Sequence, residues 1–124
     1  MTDIIMHKEL SDSVVGAAQE VHRVPGPGFL EAIYEEALAH ELTLRSISYE
    51  RQKLLKVNYK GLLLGEYRAD LVIEKRIILE IKAIASLTAA QEAQALHYLA
   101  ATGFRLAILL NFGRESLQTK RIVR

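Results

Sequence analysis

The sequence predicts an α/β domain in which helices lie on the faces of a mixed β-sheet. Two segments with apolar residues at helical spacing come first, and several β-branched segments joined by tight turns follow them. A further helical segment then leads into a strongly apolar strand. A helical crossover makes that last strand parallel to a neighbour, whereas strands joined by tight turns run antiparallel. The two connections together give a mixed sheet.

The helices are bounded by recognisable start and stop signals. Apolar residues recur at helical spacing over residues 8–24 and again over residues 29–45, and the Pro-Gly-Pro-Gly segment 25–28 separates them. A third helix is predicted over residues 88–102, with Thr88 as its N-cap and Gly103 as its stop.

The remaining segments predict strands. Residues 46–52 form a short strand or an extended entry, and Lys60-Gly61 is typical of a hairpin turn between residues 54–59 and 62–67. After the third helix, residues 105–112 predict a buried strand and residues 117–123 a more polar one. Neither a linker nor an internal repeat interrupts the chain, so one domain is expected over residues 1–124.

Three charged residues interrupt the apolar strands of a second hairpin, over residues 68–82. Asp70, Glu80 and Lys82 lie among β-branched and aliphatic residues, on either side of the charged turn 74–76. Ionised groups within a sheet are costly unless they are paired, hydrogen-bonded or bound to a metal. Two carboxylates and a lysine are the minimum that a divalent-metal phosphodiesterase needs: the acids bind the cation and the lysine acts on the nucleophile or on transition-state charge.

This chemistry requires a particular register in the hairpin. A three-residue loop pairs Ile73 with Ile77 and sets Asp70 opposite Glu80, on one face of the sheet. A two-residue loop would oppose Asp70 to Ile81 and separate the carboxylates. The three-residue register also predicts an unbroken apolar surface on the other face, formed by Ala69, Leu71, Ile73, Ile77, Leu79 and Ile81.

Two helical positions are further candidates, each with a simpler explanation. Glu31 lies early in the second helix, where an acid also stabilises the helix dipole. Gln94 and Tyr98 lie four residues apart on the third helix, so an amide and a phenol share one direction. Such an amide can orient a water or a phosphate oxygen, or it can simply belong to a polar helix edge.

Composition sets wide limits on function. The chain has 124 residues, no cysteine and a net charge of +1, so disulfides, zinc–thiolate sites and a global basic field are excluded. No apolar run approaches the ~18 residues of a membrane span, and the first residues lack the layout of a secretory signal. A cytoplasmic protein without a membrane partner is expected.

Taken in order, the motifs resemble those of the GxxExxY family, which belongs to the PD-(D/E)xK nuclease-like superfamily. They are Gly28-x-x-Glu31-x-x-Tyr34, Arg68-Ala-Asp70-Leu, Glu80-Ile-Lys82-Ala, Gln94-x-x-x-Tyr98-Leu99, Leu110-Asn111-Phe112 and Lys120-Arg121-Ile122. The resemblance implies a restriction-endonuclease-like core. It also implies Asp70 and Glu80 as metal ligands, Lys82 as the catalytic lysine, Glu31 as the helical acid and Gln94 as a supporting amide.

The expected function is metal-dependent hydrolysis of phosphodiester bonds in nucleic acid, with DNA favoured over RNA. Mg²⁺ or Mn²⁺ would be bound by Asp70, Glu80 and Glu31, and the Ile81 carbonyl would add one more oxygen. The modest size and the lack of a basic surface favour a homodimer or another partner that completes substrate binding. Two alternatives are a non-catalytic interaction or regulatory domain on the same fold, and a structural module whose buried Lys82 ion pair sets register.

Overall fold

The computed structural model describes residues 6–124, and the first five residues of the predicted domain lie outside this range. Three helices and five strands follow one another along the chain. They are α1 (Lys8–Arg23), α2 (Glu31–Leu44), β1 (Tyr49–Tyr59), β2 (Leu62–Ile73), β3 (Ile77–Lys82), α3 (Ala89–Thr102), β4 (Leu106–Asn111) and β5 (Gln118–Val123). The predicted α/β class and all three predicted helices are confirmed.

The five strands form one mixed sheet in the order β1-β2-β3-β4-β5. The β3 and β4 strands are parallel, as the helical crossover through α3 predicts, and every other neighbouring pair is antiparallel. The carboxyl ends of β3 and β4 therefore meet at one edge of the sheet. This edge carries the candidate site.

The first hairpin is longer than the sequence predicts. The segments 46–52 and 54–59 merge into the single strand β1, and the segment 62–67 continues through Asp70 in the single strand β2. Lys60 and Gly61 form the turn with positive φ angles of 47° and 83°, as a two-residue hairpin turn requires. The two-stranded arm extends well beyond the part of β2 that pairs with β3.

The β2–β3 hairpin has the three-residue loop that the candidate site requires. Ile73 pairs with Ile77, and Leu71 pairs with Leu79. Glu74 and Lys75 take up the turn in the left-handed region, and the amide of Arg76 donates to the carbonyl of Ile73 at 2.9 Å. The regular pairing ends at Leu71 with Leu79, one step before Asp70 and Glu80.

Apolar residues cover both faces of the sheet. The helices α1 and α2 pack on one face, where Leu71, Ile73 and Leu79 are fully buried, and α3 packs on the other, against Val72 and Ile78. The prediction that Ala69 continues the surface of Leu71 and Ile73 is wrong, because Ala69 is buried with the α3 side. The β2 strand thus changes face between Ala69 and Leu71, at Asp70.

The third helix has the predicted boundaries for the predicted reasons. The Thr88 hydroxyl accepts from the Ala90 amide at 3.3 Å, and Gln91 completes a capping box with Thr88. Gly103 ends the helix with a φ of 82°. Among residues 6–124, no helix is both long and apolar enough to cross a membrane.

Candidate active site

The β3 strand presents its last amides to two carboxylates from other elements. Asp70, half-buried on β2, accepts from the Ile81 amide through Oδ2 at 2.8 Å. Glu31, exposed as the first residue of α2, accepts from the Ala83 amide through Oε2 at 3.1 Å. Lys82 lies between these two amides. The structure therefore brings Glu31, Asp70 and Lys82 to one stretch of backbone.

Glu31 is held there by the loop that precedes α2. The Tyr34 hydroxyl donates to the carbonyl of Gly26 at 2.7 Å and accepts from the amide of Phe29 at 3.1 Å. Gly28, between them, has a φ of 113°, which favours glycine. The fully buried Tyr34 ring stacks on Phe112 with centroids 4.7 Å apart. The glycine and the tyrosine of this motif thus fix the chain that leads into Glu31.

Glu80 is the most unusual acid of the group. Only 8% of its side chain is exposed, and its Oε1 atom is buried without a hydrogen-bond partner among residues 6–124. Burial raises the pKa of Glu80 from its ordinary value of 4.5 to about 7; the Lys82 charge opposes this shift, and the Glu31 and Glu35 charges add to it. An unpaired buried carboxylate costs stability, so the fold retains Glu80 at a cost.

Asp70 has the same kind of environment in a milder form. Burial raises its pKa, whereas the hydrogen bond from the Ile81 amide lowers it. The charges of Glu35 and Glu31 raise this pKa further, and the charge of Lys82 lowers it. Asp70 and Glu80 therefore share the same three charged neighbours, which places both carboxylates in one electrostatic environment.

Lys82 is half-buried and lies close enough to influence both acids. It nevertheless forms no salt bridge within the part of the chain that the structure describes. The alternative in which a Lys82 ion pair sets the strand register is therefore not supported. The ammonium group remains available to an anion that enters from solvent.

The third helix contributes Tyr98 more directly than Gln94. Tyr98 is partly buried and stacks on Tyr67 with centroids 3.7 Å apart, and both burial and the Glu80 charge raise its pKa. Gln94 is exposed, and no side-chain hydrogen bond to it is found over residues 6–124. The structure thus places Tyr98 near Glu80 and leaves Gln94 at the surface.

A buried asparagine supports the site from the neighbouring strand. Asn111 is fully buried and pairs in register with Lys82. Its Oδ1 accepts from the amides of Ile84 and Gly113, and its Nδ2 donates to the Ile84 carbonyl and to Gln118. These bonds hold the chain that leaves β3.

Sequence reasoning gave Asn111 no role, although one signal was present. Asn111 is the only polar side chain in the predicted buried strand after its first residue. A fully buried amide in such a run requires several hydrogen-bond partners, so it indicates a structural junction.

The acids of the site do not form a conventional metal cluster within the described part of the chain. Within residues 6–124, no group of three or more His, Asp or Glu side chains is arranged to hold a metal ion. Mg²⁺, however, is usually held by only one or two carboxylates, with waters and substrate phosphates completing its shell. The carboxylate oxygens of Glu80 and Asp70 and the carbonyl oxygens of β3 belong to the class of hard oxygen donors that such a cation prefers.

The chain is similar to a known protein superfamily in sequence and to solved structures in fold. The sequence profile of the PD-(D/E)XK nuclease superfamily matches residues 8–122. The crystal structure of SSO0001 superimposes with a TM-score of 0.59 at 23% identity, over 95% of this chain and 57% of that one. An alkaline exonuclease from Laribacter hongkongensis gives a TM-score of 0.49 at 14% identity, over 100% of this chain and 72% of that one. The chain thus spans little more than half of SSO0001, and no curated protein sequence matches it.

Proposed function

Because the chain belongs to the PD-(D/E)XK nuclease superfamily, we propose that it is a metal-dependent nuclease that hydrolyses phosphodiester bonds of nucleic acid. One observation carries this proposal above the others. The buried Glu80 oxygen, which has no hydrogen-bond partner in the described part of the chain, lies in the same charged environment as Asp70 and Lys82. Buried acids without hydrogen-bond partners and with raised pKa values are concentrated at functional sites, so Glu80 supports a functional site at this position.

Asp70 and Glu80 would hold Mg²⁺ or Mn²⁺, and Glu31 and the Ile81 carbonyl would supply further oxygens. The donor chemistry fits, since these cations prefer carboxylate and carbonyl oxygens. When bound, the cation lowers the pKa of a coordinated water and offsets charge on the scissile phosphate. Two carboxylates with raised pKa values also gain most from a cation, because it compensates their burial and the repulsion from the charges of Glu31 and Glu35.

The chain's own residues divide the remaining roles. Lys82, which forms no salt bridge in the described structure, would donate to the phosphate oxygens as negative charge develops on them. Glu31 would orient the chain after β3 through the Ala83 amide, in addition to any bond to the cation. Gln94 would act at the rim as a supporting amide, for which its exposed position suits contact with substrate.

The finer identity of the protein is also part of the proposal. The Gly28, Glu31 and Tyr34 arrangement supports membership of the GxxExxY family, because Tyr34 fixes the loop from which Glu31 enters the site. We propose DNA rather than RNA as substrate, a cytoplasmic location, and one nuclease-like domain over residues 1–124. With a net charge of only +1, a second copy of the chain would help to complete the substrate-binding surface.

The experiment is a cleavage assay on single- and double-stranded DNA and RNA, with Mg²⁺, Mn²⁺ or chelator. Cleavage that requires metal is expected, and Lys82→Ala should lower turnover on the order of 10²-fold, because it removes one electrostatic stabiliser of the transition state. Lys8→Ala is the matched control, since Lys8 is exposed and, among residues 6–124, pairs only with Asp12 at 2.6 Å. Equal activity in wild type and Lys82→Ala would reject the assignment of Lys82.

A non-catalytic interaction domain is the second candidate, and the exposed apolar residues of the β1–β2 arm favour it. Several large apolar side chains are exposed along the arm of β1 and β2: Leu54, Tyr59, Leu62, Leu63 and Leu64. Exposed apolar patches mark interaction sites more often than isolated apolar residues do. If the chain cuts no nucleic acid with any metal but still binds metal through Asp70 and Glu80, this alternative becomes the better one.

A further inference from the structure

A further acid, Glu35, lies beside the proposed ligands and is buried. Glu35 is one helical turn after Glu31 on α2, and only 8% of its side chain is exposed. Its charge acts on both Asp70 and Glu80. Glutamate is rarely so buried unless it is paired, and neither the sequence motifs nor the proposed mechanism uses it.

The partners of Glu35 show that the β1 strand is irregular at this point. Arg51 donates to Oε2 through Nε at 3.2 Å and Nη2 at 3.0 Å, and Gln52 donates to Oε1 through Nε2 at 2.7 Å. Consecutive residues of a regular strand point to opposite faces of the sheet, yet these two reach the same carboxylate. Gln52 achieves this with a φ of 50°, in the left-handed region.

The β2 strand is irregular at the matching position. Ala69 is buried on the α3 side and Leu71 on the α1 and α2 side, although residues two apart normally share a face. The register pairs Arg51 with Leu71 and Lys53 with Ala69, so Gln52 lies across from Asp70. Both strands therefore change face at the same step. We call this step, Gln52 with Asp70, the paired kink.

The paired kink determines where the Asp70 carboxylate points. Because Asp70 lies at the change of face, its side chain reaches across to the Ile81 amide at 2.8 Å. In a regular strand, Ala69 and Leu71 would lie on the same face of the sheet, and the side chain of Asp70 would point to the opposite face. Left-handed non-glycine residues persist only where surrounding contacts hold them, and Gln52 has such a contact in Glu35.

We propose that Glu35, Arg51 and Gln52 form a positioning unit that holds the paired kink and thereby directs Asp70 to the end of β3. The proposal rests on the proposed function only in so far as Asp70 is a metal ligand. Glu35 itself contacts neither cation nor substrate in this scheme. It acts through Gln52 on the backbone, in the way that residues behind a metal ligand orient the ligand.

The first test uses two substitutions at Gln52 and an NMR readout that requires no metal. Glycine adopts a φ of 50° without strain, so Gln52→Gly should keep the amide proton shift of Ile81 close to that of wild type. Valine is strongly disfavoured there, so Gln52→Val should move this shift toward that of Asp70→Ala, which lacks the carboxylate acceptor. A wild-type Ile81 shift in a folded Gln52→Val would overturn the proposal.

The second test removes the Glu35 carboxylate, and it still tests the proposal if Gln52→Val does not fold. Glu35→Ala should move the Ile81 shift in the same direction and weaken Mn²⁺ binding, measured by calorimetry, by roughly 10- to 100-fold. Glu36→Ala is the matched control, because Glu36 is exposed and also pairs with Arg51, at 2.8 Å. Its Ile81 shift and Mn²⁺ affinity should equal those of wild type.

The two proposals fail separately in these experiments. If wild type does not bind Mn²⁺ while Glu35→Ala still displaces the Ile81 shift, the metal assignment is wrong and the positioning unit stands. If wild type binds Mn²⁺ and Glu35→Ala changes neither the shift nor the affinity, the positioning unit is wrong and the metal site stands. A lower melting temperature for Glu35→Ala, with both readouts unchanged, would show a purely structural role and overturn the proposal.

Discussion

The ends of the neighbouring strands β3 and β4 differ in how they treat a buried polar side chain. On β4, Asn111 is fully buried and neutral, and it forms three hydrogen bonds to the neighbouring loops and one to Gln118 of β5. On β3, Glu80 is 8% exposed, and one of its carboxylate oxygens has no partner among residues 6–124. The two positions lie on parallel strands at the same edge of the sheet.

The difference separates a buried polar group whose hydrogen bonds are satisfied from one that is left partly unsatisfied within residues 6–124. Asn111 stabilises the loops because its hydrogen bonds replace those it would form with water. Glu80 has lost its contact with water without full replacement, and its pKa of about 7 reflects that deficit. A residue that weakens the fold in the metal-free protein is therefore the better candidate for binding a ligand than an equally buried residue that strengthens it.

The largest expected effect is on stability and comes from Asn111, the residue whose hydrogen bonds are satisfied. Asn111→Ala would leave the amides of Ile84 and Gly113 and the carbonyl of Ile84 without their partner. A loss of about 4 kcal/mol in the free energy of unfolding is expected, since each unpaired buried group costs about 1–3 kcal/mol. Denaturant unfolding measures it. Asn58→Ala, at an exposed position, should change stability by no more than about 0.5 kcal/mol, and an equal loss there would remove the contrast.

The next effect is a pH dependence that belongs to Glu80. The pKa of Glu80 is about 7 in the folded protein and 4.5 in the unfolded chain. The folded protein therefore binds the proton of the Glu80 carboxyl group more tightly. The resulting stability, about 3 kcal/mol, is complete below pH 4.5 and is lost as the pH rises through 7.

Denaturant unfolding of metal-free protein between pH 5 and pH 8 measures this loss. Glu80→Gln stays neutral, so it should lack the Glu80 contribution and become more stable than wild type toward pH 8. Glu66→Gln, at an exposed position, should follow the wild-type curve. Parallel curves for Glu80→Gln and wild type would show that Glu80 is not destabilised by burial.

A bound cation should offset the destabilisation that the buried Glu80 carboxylate causes, and it should leave the hydrogen bonds of Asn111 unchanged. Mg²⁺ or Mn²⁺ at a hundredfold excess over its Kd should stabilise the folded state by about 2.7 kcal/mol, seen as a higher melting temperature. Asp70→Asn and Glu80→Gln should each remove most of this increment. Asp12→Asn, which affects only the exposed pair with Lys8, should retain it. The same increment in all three variants would place the cation elsewhere.

The smallest effect concerns the second buried polar atom without a partner. The Tyr67 hydroxyl is buried and unpaired within residues 6–124, while its ring stacks on Tyr98. Tyr67→Phe keeps the ring and removes the unsatisfied hydroxyl, so a gain of up to about 1 kcal/mol in stability is expected from denaturant unfolding. A loss of similar size would place Tyr67 with Asn111 among the satisfied groups.

Much of the framework of the site could be predicted from local sequence. Local sequence left a two-residue and a three-residue loop open at the turn 74–76, and the requirement that Asp70 and Glu80 share a face favoured the pairing of Ile73 with Ile77, which is confirmed. Thr88 and Gly103 bounded α3 as local cap signals. The roles of Glu31, Asp70, Glu80 and Lys82 stay predictions, but the structure brings them to one end of β3.

The tertiary structure alone decided how these residues are held. Glu31 bonds the Ala83 amide 52 residues away, His22 bonds the carbonyl of Arg114 92 residues away, and Gln52 faces Asp70 across a change of face in two strands. Periodicity, caps and turns depend on residues within a few positions of one another, so the sequence by itself determined the helices and the acids available to the site. Contacts over these longer separations depend on which elements become neighbours when the core packs. The environment of Glu80 and the direction of Asp70 therefore arise only in the folded chain.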